Sequence, residues 1–191
     1  MNAFVVELPW HVDTGTKDKP AIINGHVIKP QPNKWGCGPW SLRYCLMKWG
    51  IDIDPYQLAR MAQSTKKGTT NRHLEYAAMQ LGARVDYVDT PYVTTAKREI
   101  DRMLAEGQAL ILNFDGGSPN FRHWVACLHR LPYGYLILDP SPYQPVVQLK
   151  GWNRLKAEMK HTLPEDDHRD FHYIIIGISR PDVVHRHKRA V

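Results

Sequence analysis

The chain has 191 residues, 43% of them hydrophobic and 23% charged, which is ordinary globular composition and enough for one hydrophobic core. Three cysteines at irregular spacing exclude a disulfide framework, and no CxxC pair offers a structural zinc site. A net charge of +6 is concentrated partly in the tail His185-Arg-His-Lys-Arg189, and no RNP, zinc-finger or helix-turn-helix signature accompanies it, so nucleic-acid binding is disfavoured.

The N-terminus lacks the basic segment and apolar run of a secretory signal, and no window approaches the roughly 18 apolar residues of a membrane span. A cytoplasmic chain is expected, although later release or virion packaging would leave the same sequence. The expected organisation is a single domain over 1–191: an extension with a hairpin over 1–30, a core over 31–180 and a basic tail over 181–191. Oligomeric state is not legible.

In the extension, apolar runs Phe4 to Leu8 and Ala21 to Ile28 flank the turn-like Asp13-Thr-Gly-Thr-Lys-Asp-Lys-Pro. The approach Lys29-Pro-Gln-Pro-Asn leads into a helix entered near Cys37, where Pro39 suits the first turn and Gly36 and Gly38 let the backbone turn beside the sulfur. Leu42, Cys45, Leu46 and Trp49 mark one apolar helix face, and Gly50 stops it after about three turns.

Asp54-Pro55 predicts a second helix running to about Gln63. Thr70 predicts the cap of a third over Asn71 to Leu81, stopped by Gly82. Ala83 to Val88 alternates as a strand. Thr94 or Thr95 is expected to cap a fourth helix that turns Ile100, Met103 and Leu104 inward and ends at Gly107.

Strands then follow over Ala109 to Phe114, His123 to His129, Tyr135 to Asp139 and Tyr173 to Ser179, with a short helix near Trp152 to Met159 and a charged loop after it. Helices followed by antiparallel strands predict an α+β fold.

A helix N-terminus presents unpaired N–H groups and the positive end of the macrodipole, which makes Cys37 a candidate nucleophile. Such a thiol needs a base, and the base an orienter. His123 opens one strand of the expected 123–129/135–139 hairpin and Asp139 closes the other, so antiparallel pairing brings them together. Gln31, six residues before Cys37, is placed to donate its amide to an oxyanion alongside the Cys37 N–H. Trp35, Gly38, Trp40 and Trp124 are the expected cleft and substrate-binding residues. The rival reading makes each an ordinary core or turn residue, as is taken to hold for Cys45 and Cys127. His161, Asp166, Asp167, His168 and His172 cluster in sequence, but without the HExxH order they are read as a solvated loop; no metal or cofactor is expected.

The run Gln31-Pro-Asn-Lys-Trp-Gly-Cys37-Gly-Pro, the later His123-Trp-Val and the Asp139-Pro140 pair resemble, in order and spacing, the C39-like branch of papain-fold cysteine peptidases over about residues 29–142. The resemblance implies a papain-like fold with helices packed on an antiparallel sheet, and a thiol protease acting on a protein or peptide substrate. It implies Cys37 as nucleophile, His123 as general base then acid, Asp139 as orienter and Gln31 as oxyanion donor. Members often cut after Gly-Gly in leader peptides, but those domains are fused to transporters with an ATPase, and this chain carries neither. Competing expectations are a cell-wall amidase of the NlpC/P60 kind, an acyltransferase resembling phytochelatin synthase, and a non-catalytic protein-binding module on the same fold.

Overall fold

The computed structural model describes residues 12–13, 21–118, 121–162 and 171–181. A small sheet begins it. Strands β1 (Val12–Asp13), β2 (Ile22–Ile23) and β3 (His26–Val27) pair antiparallel, and β2 and β3 form a hairpin through Asn24 and Gly25, both at positive φ (47° and 80°). An Asn-Gly pair tolerates that geometry at little steric cost, which is why the chain reverses there. The apolar run Phe4 to Leu8 and the tail after Pro181 lie outside the described residues.

Helix α1 (Cys37–Met47) starts at the cysteine itself, with Gly36 at its N-cap, and the chain leaves it through Gly50 at φ 72°. One apolar face was expected; instead every residue of the helix except Arg43 is buried. A helix apolar nearly all round is a central one, and α1 is packed between the sheet and its neighbours.

Helix α2 (Pro55–Met61) has Asp54 accepting from the Tyr56 N–H at its cap, and α3 (Asn71–Gln80) has Thr70 accepting from the His73 N–H. Strand β4 (Val85–Thr90) sits two residues later than expected. Helix α4 (Val93–Ala105) also departs from expectation. Its N-cap is Tyr92 with no side-chain cap, because Thr90, two residues upstream, accepts the Tyr92 N–H and turns the chain before either Thr94 or Thr95. Strands β5 (Ala109–Ser118), β6 (Phe121–Leu131) and β7 (Gly134–Leu138) follow. Then come β8 (Val147–Lys150), α5 (Trp152–Met159), β9 (His161–Thr162) and β10 (Phe171–Ile178). Strand β8 was not foreseen.

The main sheet is antiparallel in the order β4-β10-β5-β6-β7-β8, with β9 paired to β10. Side chains alternate across it. On one face Ala109, Ile111, Trp124, Ala126, Leu136 and Leu138 pack with α1 and α3; on the other Leu110, Leu112, Phe114, Val125, Tyr135 and Ile137 pack with α4 and α5. The central strands are therefore apolar on both faces, as β7, buried at all five positions, shows. The result is an α+β fold with helices on each side of one sheet. Among the described residues no helix is long and apolar enough to cross a membrane.

Candidate active site

Cys37 is the first residue of α1, where the backbone N–H groups of the opening turn have no intrahelical acceptor and the helix dipole is positive. The segment before it is pinned. The Tyr44 hydroxyl donates to the Lys29 carbonyl (2.6 Å), and the Gln31 N–H donates to the Pro140 carbonyl (2.8 Å). That second bond joins the approach to Cys37 directly to the residue after Asp139, although the two are more than a hundred positions apart in sequence.

Strands β6 and β7 meet through the tight turn Pro132-Tyr133, with Leu131 opposite Gly134 and Ala126 opposite Leu138. This register carries His123 and Asp139 to the same end of the hairpin. His123 Nε2–H donates to Asp139 Oδ1 over 2.6 Å, between side chains only 14% and 4% exposed. The other ring nitrogen is not engaged by Asp139, and the Cys37 thiol is near enough to the imidazole to act on its charge. Asp139 Oδ1 receives a second donor, the Ser141 N–H at 2.8 Å, so the carboxylate is held from both sides.

The electrostatics follow from these contacts. Burial alone would pull the His123 imidazole down, but the Asp139 carboxylate and then the Cys37 thiol outweigh it and push it up to about 9. Burial would raise the Asp139 carboxyl, whereas its hydrogen bond and charge attraction to His123, the Ser141 N–H and the charge of Lys150 hold it below the usual carboxylate value. The thiols of Cys45 and Cys127 are fully buried and pushed well up by that burial, as expected of core cysteines.

Gln31 is 4% exposed and its side-chain Oε1 is buried without a hydrogen-bond partner among the described residues. Gly38 is tight: a Cβ there would lie 3.0 Å from the Thr69 side chain, so the loop before α3 presses on the first turn of α1. The four expected substrate-binding residues separate. Trp35 is half-buried beside the site, with its N–H held by Asn33 Oδ1 at 3.1 Å, and Gly38 lines the first helical turn. Trp40 and Trp124, expected on the cleft wall, are instead 3% and 4% exposed and belong to the core. Trp40 packs edge-on against Tyr56 (centroids 5.4 Å apart), and the Trp124 indole donates to the Thr69 carbonyl (2.9 Å) while its own carbonyl accepts from Ser41 Oγ (2.9 Å). They hold the site from behind.

Lys150 was not foreseen. Its side chain is 2% exposed, ion-paired to Glu158 of α5, and its Nζ lies 5.2 Å from the Phe114 ring, which stands opposite His123 in the β5–β6 register. No pattern in the sequence separates this lysine from surface ones; it is buried at the end of β8, which pairs with β7, and reaches Glu158 of α5. Most of the 161–172 metal candidates lie outside the described residues, and His172 Nδ1 pairs instead with Asp89 Oδ1 at 2.7 Å.

Residues 26–105 match the model of the Peptidase C39 family, a span that takes in Gln31 and Cys37 and stops before the hairpin that begins near His123 and is followed by Asp139. Among solved structures, the peptidase domain of Streptococcus ComA, a bifunctional ABC transporter of a quorum-sensing pathway, superposes with a TM-score of 0.60. It is 18% identical, over 80% of this chain and 96% of that one. The peptidase domain of Streptococcus mutans ComA gives 0.51 at 15% identity over 80% and 98%. A double glycine motif protease from an AMS/PCAT transporter, solved in complex with the leader peptide, gives 0.53 at 15% identity over 78% and 90%. Likeness at these identities establishes the fold. No curated protein sequence matches the chain.

Proposed function

We propose that this C39-like cysteine peptidase hydrolyses a peptide or isopeptide bond through a thioester on Cys37. The observation that carries the reading is the His123–Asp139 hydrogen bond at the end of a hairpin, with the Cys37 thiol at a helix start near enough to raise the same imidazole. An imidazole raised to about 9 holds the thiol proton at neutral pH, so the sulfur attacks as the thiolate of an ion pair and the imidazolium gives its proton to the leaving amine.

The tetrahedral oxygen is held by the Cys37 N–H, which has no intrahelical acceptor, and by the Gln31 side-chain amide. Asp139 keeps one imidazole nitrogen occupied and so directs the other to the sulfur. Water then attacks the thioester with His123 as base, which releases the acid and regenerates the thiol. A peptide substrate fits both this chemistry and the leader peptide bound by the AMS/PCAT protease.

Thiol reactivity tests the reading whatever the substrate. Iodoacetamide at neutral pH is expected to label Cys37 much faster than the buried Cys45 and Cys127, and a peptide pool is expected to leave an acyl group on Cys37 that hydroxylamine removes. Equal slow labelling of all three cysteines, or undiminished hydrolysis by Cys37→Ala, would defeat it. An added amine that captures the acyl group in preference to water would instead favour the acyltransferase.

A further inference from the structure

Four segments are tied together at the site: residues 29–41, the turn 65–69, the start of β6 and the loop after Asp139. The Thr69 side chain abuts Gly38, the residue after Cys37, and the Thr69 carbonyl accepts the indole of Trp124, the residue after His123, so the turn 65–69 packs against both segments that carry the site. That turn is closed by reciprocal bonds between Thr65 and Gly68 (3.0 and 2.9 Å) and exposes Lys66 and Lys67. Lys34, three residues before Cys37, and Arg122, immediately before His123, are exposed from two other segments, and Lys29 lies further up the approach.

None of these five cations forms an ion pair with a carboxylate of the described residues. The sequence explains why: there is no Asp or Glu between Asp18 and Asp52, between Asp54 and Glu75, or between Asp115 and Asp139. Asp139 itself is 3% exposed and bonded to His123. Asp52 is taken by Arg43 at 2.6 Å, and Asp115, opposite Arg122 in the β5–β6 register, offsets one charge. Other acidic residues gather on β4 and α4, where they pair with Arg84, Lys97, Arg98 and Arg102.

We propose that the mouth of the active site selects acidic peptides, with Lys34, Lys66, Lys67 and Arg122 attracting carboxylate side chains that flank the scissile bond. The proposal rests on the peptidase reading above. Like charges presented from neighbouring segments, without an ion pair among the described residues, raise the local potential, steer anionic ligands inward, and lose that effect with added salt. A nucleic-acid occupant is disfavoured, because of the tryptophans on these segments Trp40 and Trp124 are buried and unable to stack bases and Trp35 is half-buried.

Charge at the sulfur can be read with two small alkylating agents, anionic iodoacetate and neutral iodoacetamide, on the intact protein. The iodoacetate-to-iodoacetamide rate ratio at Cys37 is expected to fall about three- to tenfold in the exposed-turn variant Lys66→Glu/Lys67→Glu, with the gap closing at high salt. In a proteome-derived peptide library, cuts by the unaltered protein are expected to be enriched in Asp and Glu around the scissile bond, and the variant is expected to lose that enrichment. A ratio unmoved by charge reversal, or cuts with no acidic enrichment, overturns the proposal. An uncut library with a charge-sensitive ratio leaves the basic mouth standing and overturns the peptidase reading alone.

Discussion

Replacing Asp139 by Asn removes a charge from His123 while keeping an oxygen that can accept from the Ser141 N–H, which isolates the electrostatic part of the contact. The imidazole moves from an ordinary 6.5 to about 9 in the folded protein, a difference worth about 3 kcal/mol. Because the folded value is the higher one, this stability is fully present below about pH 6.5 and is lost as pH rises through about 9. The side chains are 14% and 4% exposed, so solvent screens the pair little. Asp139→Asn is therefore expected to be about 2 kcal/mol less stable than the unaltered protein near pH 6, since the thiol contact supplies the remainder, and nearly equal to it near pH 10. Urea unfolding at several pH values between those limits checks this. A stability difference of the same size at both ends would refute the reasoning, because it would mean that Asp139 acts through packing and the Ser141 bond and not through its charge.

Gln31→Ala is expected to lower kcat/KM by about 10²- to 10³-fold while leaving the iodoacetamide rate at Cys37 near its original value, since it removes the proposed oxyanion donor and keeps the proposed base; steady-state kinetics on any cleaved peptide reads the first and mass spectrometry the second. Gly134→Ala is expected to cost about 1–3 kcal/mol by thermal or urea unfolding, because its Cβ would stand 2.5 Å from the Lys150 carbonyl, a backbone atom unable to turn aside. At Lys150, buried and paired to Glu158, Met is expected to be tolerated far better than Ala: Glu158 keeps Arg154 at 2.9 Å and part of its hydration, while Ala adds a cavity against Phe114, so Lys150→Ala should be the less stable by about 2 kcal/mol in the same assay. Asn113 is fully buried on the α1 side of β5 with neither amide atom hydrogen-bonded among the described residues, so Asn113→Leu is expected to raise stability by about 1 kcal/mol, and a loss would show that an internal water holds the amide.

The parts of the fold that were legible in the sequence are those with local causes. Asp54-Pro55 and Thr70 cap their helices through their own side chains, and Gly50, Gly82 and Gly107 end theirs at positive φ. His123 and Asp139 could be matched because consecutive antiparallel strands bring the start of one to the end of the next, a relation that survives the bulge between Cys127 and His129. What escaped depends on distant neighbours. Val147–Lys150 is too short and too mixed to announce itself as a strand, and its existence rests on pairing with β7. Trp40 and Trp124 flank catalytic candidates in sequence, which suggested a cleft wall, yet α1 and the turn at Thr69 enclose them. A helix start at Tyr92 in place of Thr94 or Thr95 came from the Thr90 hydroxyl, an upstream turn that outcompetes a downstream cap.

The backbone bond from Gln31 to the Pro140 carbonyl has one more consequence. It fastens the strip that precedes the sulfur to the far end of the hairpin that carries His123, so neither can drift without dragging the other. A chain cut after residue 105, where the C39 match ends, would keep the thiol and discard everything that tunes it. Competence is thus a property of the closed ring of segments, and its loss under heat or urea is expected to coincide with deuterium uptake at the Gln31 amide, well before the helices themselves melt.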